Sequence, residues 1–252
     1  MLSKSKKSTQ KAKPKLIRPR GIGLSVKLFK HEGLNLSASQ LASLFKKAPY
    51  APAKKSDIAS GFSKAKAVGK TVTADFTAGF RVPVLAFGED VPVHYISVDR
   101  GSVVVKLDKG TAEVRGSGRI ASRFRRWVQK ETRAKMQPLN LNGGTRKVYD
   151  TASDIATVLL AGLEGTTSDL SGVEFRGSGI QTADEIALYT RKYKGEIVRF
   201  RGTFPYPSGQ QLTTSVNALT GSIFIYKWGE GIYEKDLNWI VSLLEDAALS
   251  AM

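Results

Sequence analysis

Eight cations and no acid fall within the first twenty residues: Lys4, Lys6, Lys7, Lys11, Lys13, Lys15, Arg18 and Arg20. Like charges at this density repel. Too few apolar residues accompany them to offset the entropy of ordering, so the run is expected to be disordered on its own and to need a polyanion. Its meaning depends on the rest of the chain, and the rest is not basic. Residues 1–70 hold 17 of the 39 Lys and Arg and only two acids, Glu32 and Asp57, a net of +15; residues 71–252 carry +2. The charge of +17 is therefore a cationic tail on a near-neutral body, and the partner such a tail implies is nucleic-acid phosphate.

The body is long enough for one domain with a full core. With no cysteine among 252 residues, disulfides, thiolate metal sites and a Cys nucleophile are excluded. No apolar run reaches the roughly 18–20 residues of a membrane-spanning helix, so no membrane partner is expected. The N-terminus lacks the apolar stretch of a secretory signal. The absence of acids and the presence of Ser also suit an organellar transit peptide, but the run is Lys-rich, Pro-interrupted and not amphipathic, which favours a nucleic-acid arm over that alternative.

Patterning divides the chain into a disordered arm (1–33), an amphipathic helix with a linker (34–70) and a single globular domain (71–252). Ser37 and Gln40 form a capping box ahead of the stripe Ala38, Leu41, Leu44 and Phe45, with Pro49 as the stop. Strands are expected at 72–76, 80–87 and 93–98, followed by a turn at Asp99-Arg100-Gly101. A hairpin, 102–107 with 111–115, comes next. Helices follow at 119–135 and 150–163, a strand at 172–176, and a helix from a Thr182/Glu185 capping box to Gly195. Strands at 196–204, 212–216 and 222–228 precede a last helix at 234–249. Strands early and late with helices between them give α+β, or an antiparallel β-sandwich with inserted helices.

Three constellations carry chemistry. On the helix at 119–135, Arg119, Arg123, Arg125, Arg126, Lys130, Arg133 and Lys135 oppose one acid, Glu131, so the acids expected for intrahelical pairing are missing. That makes a guanidinium face for phosphate as strong a reading as a solvated surface. Phe224, Tyr226 and Trp228 share one face of a strand, where aromatics can stack unpaired bases but far more often form core or a subunit contact. Glu113-Val114-Arg115-Gly116-Ser117-Gly118 recurs as Glu174-Phe175-Arg176-Gly177-Ser178-Gly179. Each copy lies between a strand and a helix and reads as an exit turn rather than a dinucleotide loop, whose βαβ context is missing. There are two histidines, His31 and His94, and no catalytic triad, H-E-x-x-H or Walker motif. No catalytic residue, metal, cofactor or small-molecule substrate is expected, and the chain does not read as an enzyme.

The order of these parts resembles the coat proteins of small RNA viruses: a Lys/Arg arm, a short helix, a Pro/Ser/Lys linker, then a near-neutral β-rich body without cysteine. That resemblance implies a jelly-roll-like shell domain that self-assembles, arms turned onto packaged RNA, in virions and, during assembly, the host cytoplasm. RNA is favoured over DNA. The alternative is a non-assembling RNA- or single-stranded-DNA-binding protein that uses the Arg-rich helix and the aromatic strand. The residues expected to meet nucleic acid are the eight arm cations with Arg123, Arg125 and Arg126.

Overall fold

A computed structural model describes residues 15–252 apart from 55–56, 86–87, 89–90, 167–168, 228, 230 and 252. Its first half runs β1 (Leu16–Ile17), β2 (Gly23–Glu32), α1 (Ala38–Lys47), β3 (Ser60–Val68), β4 (Thr71–Val84), β5 (Val93–Lys106), β6 (Thr111–Arg115), α2 (Gly118–Thr132) and β7 (Lys135–Pro138). The second half runs α3 (Thr145–Thr151), β8 (Asp154–Ala161), β9 (Gly172–Arg176), α4 (Asp184–Arg191), β10 (Glu196–Pro205), β11 (Gln211–Asn217), β12 (Ser222–Tyr226), β13 (Ile232–Tyr233) and α5 (Glu234–Ser250). Eleven strands make one sheet, ordered β3-β4-β5-β6-β2-β12-β11-β10-β8-β9 with β7 paired beside β2; β1 and β13 form a separate pair. The pairings of these strands are antiparallel. The chain is α+β, built on one large sheet.

Leu28 and Phe29 are neighbours in β2, and adjacent strand residues point to opposite faces. They belong to two different cores. Leu28, with Val26, Ile223, Val216, Phe200 and Val158, is covered by Leu237, Ile240, Val241 and Leu244 of α5 and by Val148 and Tyr149 of α3. Phe29, with Phe62, Phe76, Val103 and Val114, is covered by Leu41 and Phe45 of α1 and by Ile120, Phe124 and Val128 of α2. Each core therefore lies between strands and helices, and the two facing sheets expected of a jelly-roll sandwich are not what encloses either one. The helices are offset: α1 and α2 cover one face of the β3–β6 half, while α3 and α5 cover the opposite face of the β12–β8 half.

The capping box forms as the spacing predicts: Ser37 Oγ accepts from Gln40 N, and Gln40 Oε1 accepts from Ser37 N at 2.8 Å. It aims Phe45 onto Phe62, ring on ring at 4.1 Å and 5°. Such a pair contributes about 0.5–1.5 kcal/mol beyond its buried area. The stripe of α5 is buried as expected, and the β5–β6 hairpin pairs Ser102–Lys106 with Thr111–Arg115.

Several boundaries move. Residues 23–32, placed in the arm, are β2, held between β6 and β12 in the middle of the sheet. Lys27 and Lys30 belong to the run of charge, but Leu24, Val26 and Leu28 alternate beneath it and supply the burial. Ser60–Val68, placed in the linker, is β3. Asp99-Arg100-Gly101 is no turn, since β5 runs through it, and 71–84 is one strand. The helix expected at 150–163 is α3 followed by β8. Ile155 and Val158 are both buried at helical spacing because the β8–β10 register shifts between Arg201 and Gly202, a bulge that breaks the period of two. Thr182 does not cap α4, which starts after Ala183 with no side-chain cap.

Candidate nucleic-acid interface

The offset helices leave half of the α2-side face uncovered. One row on it can be traced strand by strand: Ser25 lies opposite Phe224, Phe224 opposite Ser215, Ser215 opposite Arg201, Arg201 opposite Thr157, and Thr157 opposite Arg176. The residues between them, among them Val26, Ile223, Val216, Phe200 and Val158, point into the α5 core. The open half-face is thus polar, basic and aromatic over an apolar underside. Glu174 holds Arg176 at 3.3 Å and reaches Arg199 at 3.9 Å, whereas Arg201 has no carboxylate partner among the described residues. A shallow hollow of about 330 Å³ between Tyr226, Ser215, Thr157 and the three arginines marks this surface.

Phe224 and Tyr226, two apart on β12, meet edge to face at 4.8 Å. Both are half-buried, while Ile223 and Ile225 anchor the strand at 2% and 0% exposure. Trp228, expected to extend this ladder, lies outside the described residues. Gly23 opposite Tyr226 makes room for Phe224, since a Cβ there would fall 2.7 Å from its Cε1 and 2.3 Å from the Ile225 carbonyl oxygen.

Helix α2 lies on the same side of the sheet. Ser117 is its N-cap: Oγ–H donates to Asp99 Oδ2 at 2.6 Å, and Oγ accepts from Ile120 N at 3.4 Å. The Gly-Ser-Gly stretch is therefore an exit turn, and the anion at the helix start is the protein's own Asp99. Arg119 grips the same carboxylate, Nε to Oδ2 and Nη2 to Oδ1, both at 2.6 Å, and its guanidinium sits 4.6 Å from the Phe80 ring centroid. These bonds hold the Asp99 carboxyl below the usual carboxylate range. Arg119 is thus a docking residue, fixing α2 to β4 and β5. Arg123 follows it over Phe80 at 5.4 Å.

Of the three helix arginines expected to meet phosphate, Arg123 and Arg125 are half-buried and Arg126 is exposed. At about 100° per residue, Arg123 and Arg125 fall on opposite flanks of the buried stripe, with Arg126 at the crest. The stripe Arg119, Arg123, Arg126 and Lys130 therefore forms one basic edge, and Arg125 does not join it. Arg123 and Arg126 have no carboxylate partner among the described residues, and the Nε of Arg123 is buried without an acceptor.

The arm's root is pinned beside these features. Leu16 and Ile17 pair with Tyr233 and Ile232, Lys15 Nζ meets Glu234 Oε1 at 2.7 Å, and Glu234 N donates to Lys15 O. Gly231 permits this approach, since a Cβ there would lie 2.2 Å from Ile17 O. An open groove of about 1180 Å³ then runs past Lys15, Arg18 and Arg20, the α2 N-cap turn at Gly116 and Ser117, and Phe224. It brings together the end of the arm, the start of the Arg helix and the aromatic strand, three features far apart in sequence. Lys4, Lys6, Lys7, Lys11 and Lys13 lie outside the described residues.

Arg199 and Arg201 are candidates for this surface that patterning alone did not single out. The signal was present in Val198-Arg199-Phe200-Arg201, where two arginines alternate with buried apolar residues. Among the described residues no cluster of three His, Cys, Asp or Glu could hold a metal ion, and no helix is long and apolar enough to cross a membrane. Neither a scan against protein-family models nor a search of curated proteins finds a match to this chain.

Proposed function

We propose that this chain binds single-stranded nucleic acid, RNA in preference to DNA, with its arm and one continuous body surface together. The observation that carries this reading is the groove joining Lys15, Arg18 and Arg20 to the α2 turn and to Phe224, beside the open half-sheet bearing Arg176, Arg199, Arg201 and Tyr226. Cations along a path attract the backbone, and aromatic faces beside them stack bases without reading sequence. Half-buried rings on a sheet face suit splayed, unpaired bases better than the edges of a stacked duplex.

The test compares a single strand with a duplex of equal length, using fluorescence anisotropy on the full chain and on a chain lacking residues 2–14. A single-strand preference that survives loss of the arm supports a binding body. Equal affinity for both forms, or binding wholly abolished with the arm, sinks it. The 2′-hydroxyl, both donor and acceptor, is what distinguishes an RNA strand from a DNA one, so a DNA strand run in parallel tests that preference.

Packaging within a self-assembled coat, in a virion, is the fuller form of this activity. It needs many copies whose weak arms act together. The jelly roll is not required for it: a helix-covered sheet can tile a shell provided that copies have a surface on which to meet.

A further inference from the structure

Strands β4 and β5 are 14 residues each and run on past their neighbours. β6 pairs with β5 only over Ser102–Lys106, and β3 pairs with β4 only as far as Ala78. Beyond those points, and past the bond from Gly79 N to Ala59 O, the two form a ribbon paired only to each other, from Phe80↔Ser97 to Val84↔Val93. Among the described residues, the outer edge of β5 from 93 to 99 has no backbone partner; beyond it, Arg100 and Gly101 lie against the turn at Arg115 and Gly116. At about 3.3 Å per residue that edge is roughly 23 Å of open donors and acceptors.

The two edges of the ribbon are not equally protected. Free edges are normally blunted with lysine, proline or a bulge. The free part of β4 carries Arg81 and Pro83; residues 93–99 of β5 carry no lysine, arginine or proline. Around the open edge Val84, Val93, Tyr95 and Val98 are 46%, 49%, 58% and 43% exposed. The charge also differs from the rest of the chain: residues 82–98 contain no Lys or Arg and two acids, in a protein of net charge +17. Two copies can approach here without the repulsion that opposes contact elsewhere.

We propose that β5 pairs antiparallel with β5 of a second copy along residues 93–99, joining two sheets across a two-fold axis. An antiparallel strand edge is self-complementary under a two-fold, which is why the occupant is another copy of the same edge. The pairing satisfies the open backbone groups, and with the two-fold at Ile96 the Tyr95 side chain lies diagonally across from its equivalent on one face of the extended sheet. It rests on backbone pairing and not on the nucleic-acid surface; only its inner end, at Val98 and Asp99, also lines the groove beside the arm, so the variant that tests it is placed at the outer end.

The test uses full-length protein treated with nuclease and held at about 1 M salt, where screening falls to roughly 3 Å and nucleic acid cannot bridge copies. Size-exclusion chromatography with light scattering is expected to show a concentration-dependent dimer. The charge-neutral pair Val93→Glu with Tyr95→Lys should return it to a monomer, and at concentrations where wild type is itself monomeric the two thermal midpoints should agree, because both side chains are exposed. Hydrogen exchange should show alternate amides of 93–99 protected more strongly as concentration rises. A wild type that stays monomeric, or a dimer that survives both substitutions, overturns the proposal. The same variant should keep wild-type affinity for a single strand when assayed well below the dimer range, so failure of the interface and failure of the binding surface are read separately.

Discussion

Removing both rings of β12, Phe224→Ala with Tyr226→Ala, separates stacking from charge at the interface. The fold should tolerate the change. Ile223 and Ile225 keep β12 in the core, and the register with β2 and β11 rests on backbone bonds. Base–aromatic stacking contributes about 1–3 kcal/mol per base. The two rings touch edge to face at 4.8 Å and act as one platform. The double variant is therefore expected to lose the equivalent of one to two stacked bases, about 2–4 kcal/mol, or about 30- to 1,000-fold in dissociation constant. No charge is removed, so the slope of log K against log salt should not change. The assay is a salt series of anisotropy titrations with a single-stranded oligonucleotide, fitted for slope and intercept. A loss below about threefold, well under one stacked base, would show that the rings do not meet bases. A flattened slope would show that the variant had disturbed the cationic path instead.

The charge side has the converse signature: Arg199→Ala with Arg201→Ala should lower the magnitude of that slope by about 1.4, from roughly 0.7 per phosphate contact, with the single-strand preference retained. Loss of residues 2–14 removes five lysines and should lower it by about 3.5. Asp99 sets an acid limit on the docking of α2. Its folded pKa lies below its unfolded value, so its stabilising effect is present above the unfolded pKa and fades as pH falls through the folded one. Thermal midpoints measured downward from about pH 5 should therefore fall less steeply in Asp99→Asn than in wild type. Glu245 is fully buried, 2.7 Å from Lys106 Nζ and 2.8 Å from the Thr111 hydroxyl that donates to it. Glu245→Ala strands that lysine against the helix and should cost about 3–5 kcal/mol in urea unfolding.

The range of the forces involved decided which elements were legible in the sequence. Local signals could be read: the Ser37 box, the α2 and α5 stripes and the Asp108-Lys109-Gly110 hairpin each rest on residues within a few positions of one another. The misread segments are those whose identity is set by distant partners. β2 looks like tail because Lys27 and Lys30 sit in a run of charge, yet β6 and β12, from far along the chain, pair with it on either side. Desolvation there lowers the pKa of Lys27, a sign that this cation belongs to the body and not to the solvated arm. β8 looks like helix because a bulge against β10 spaces Ile155 and Val158 as a helix would. The interface was half legible for the same reason. Aromatics at 224 and 226 alternate within one strand and can be read directly. Their neighbours Arg201 and Arg176 join them only through cross-strand register.

That register also bears on how the charge is used. A body of net +2 over residues 71–252 looks unsuited to a polyanion when charge is counted along the chain. The count misleads because the fold sorts its acids. Glu245 and Glu113 are buried against Lys106 and Arg115, Asp99 is taken up by Arg119, and Glu234 by Lys15. Most of these pairs sit on the α5 side or under the helix ends. Arg201 on the open half-sheet and Arg123 and Arg126 on α2 keep their charge without a carboxylate beside them among the described residues. A surface potential is set by which charges remain unpaired and exposed, not by the total. The near-neutral body therefore presents a basic path, and the arm rooted at Lys15 enters it at the groove.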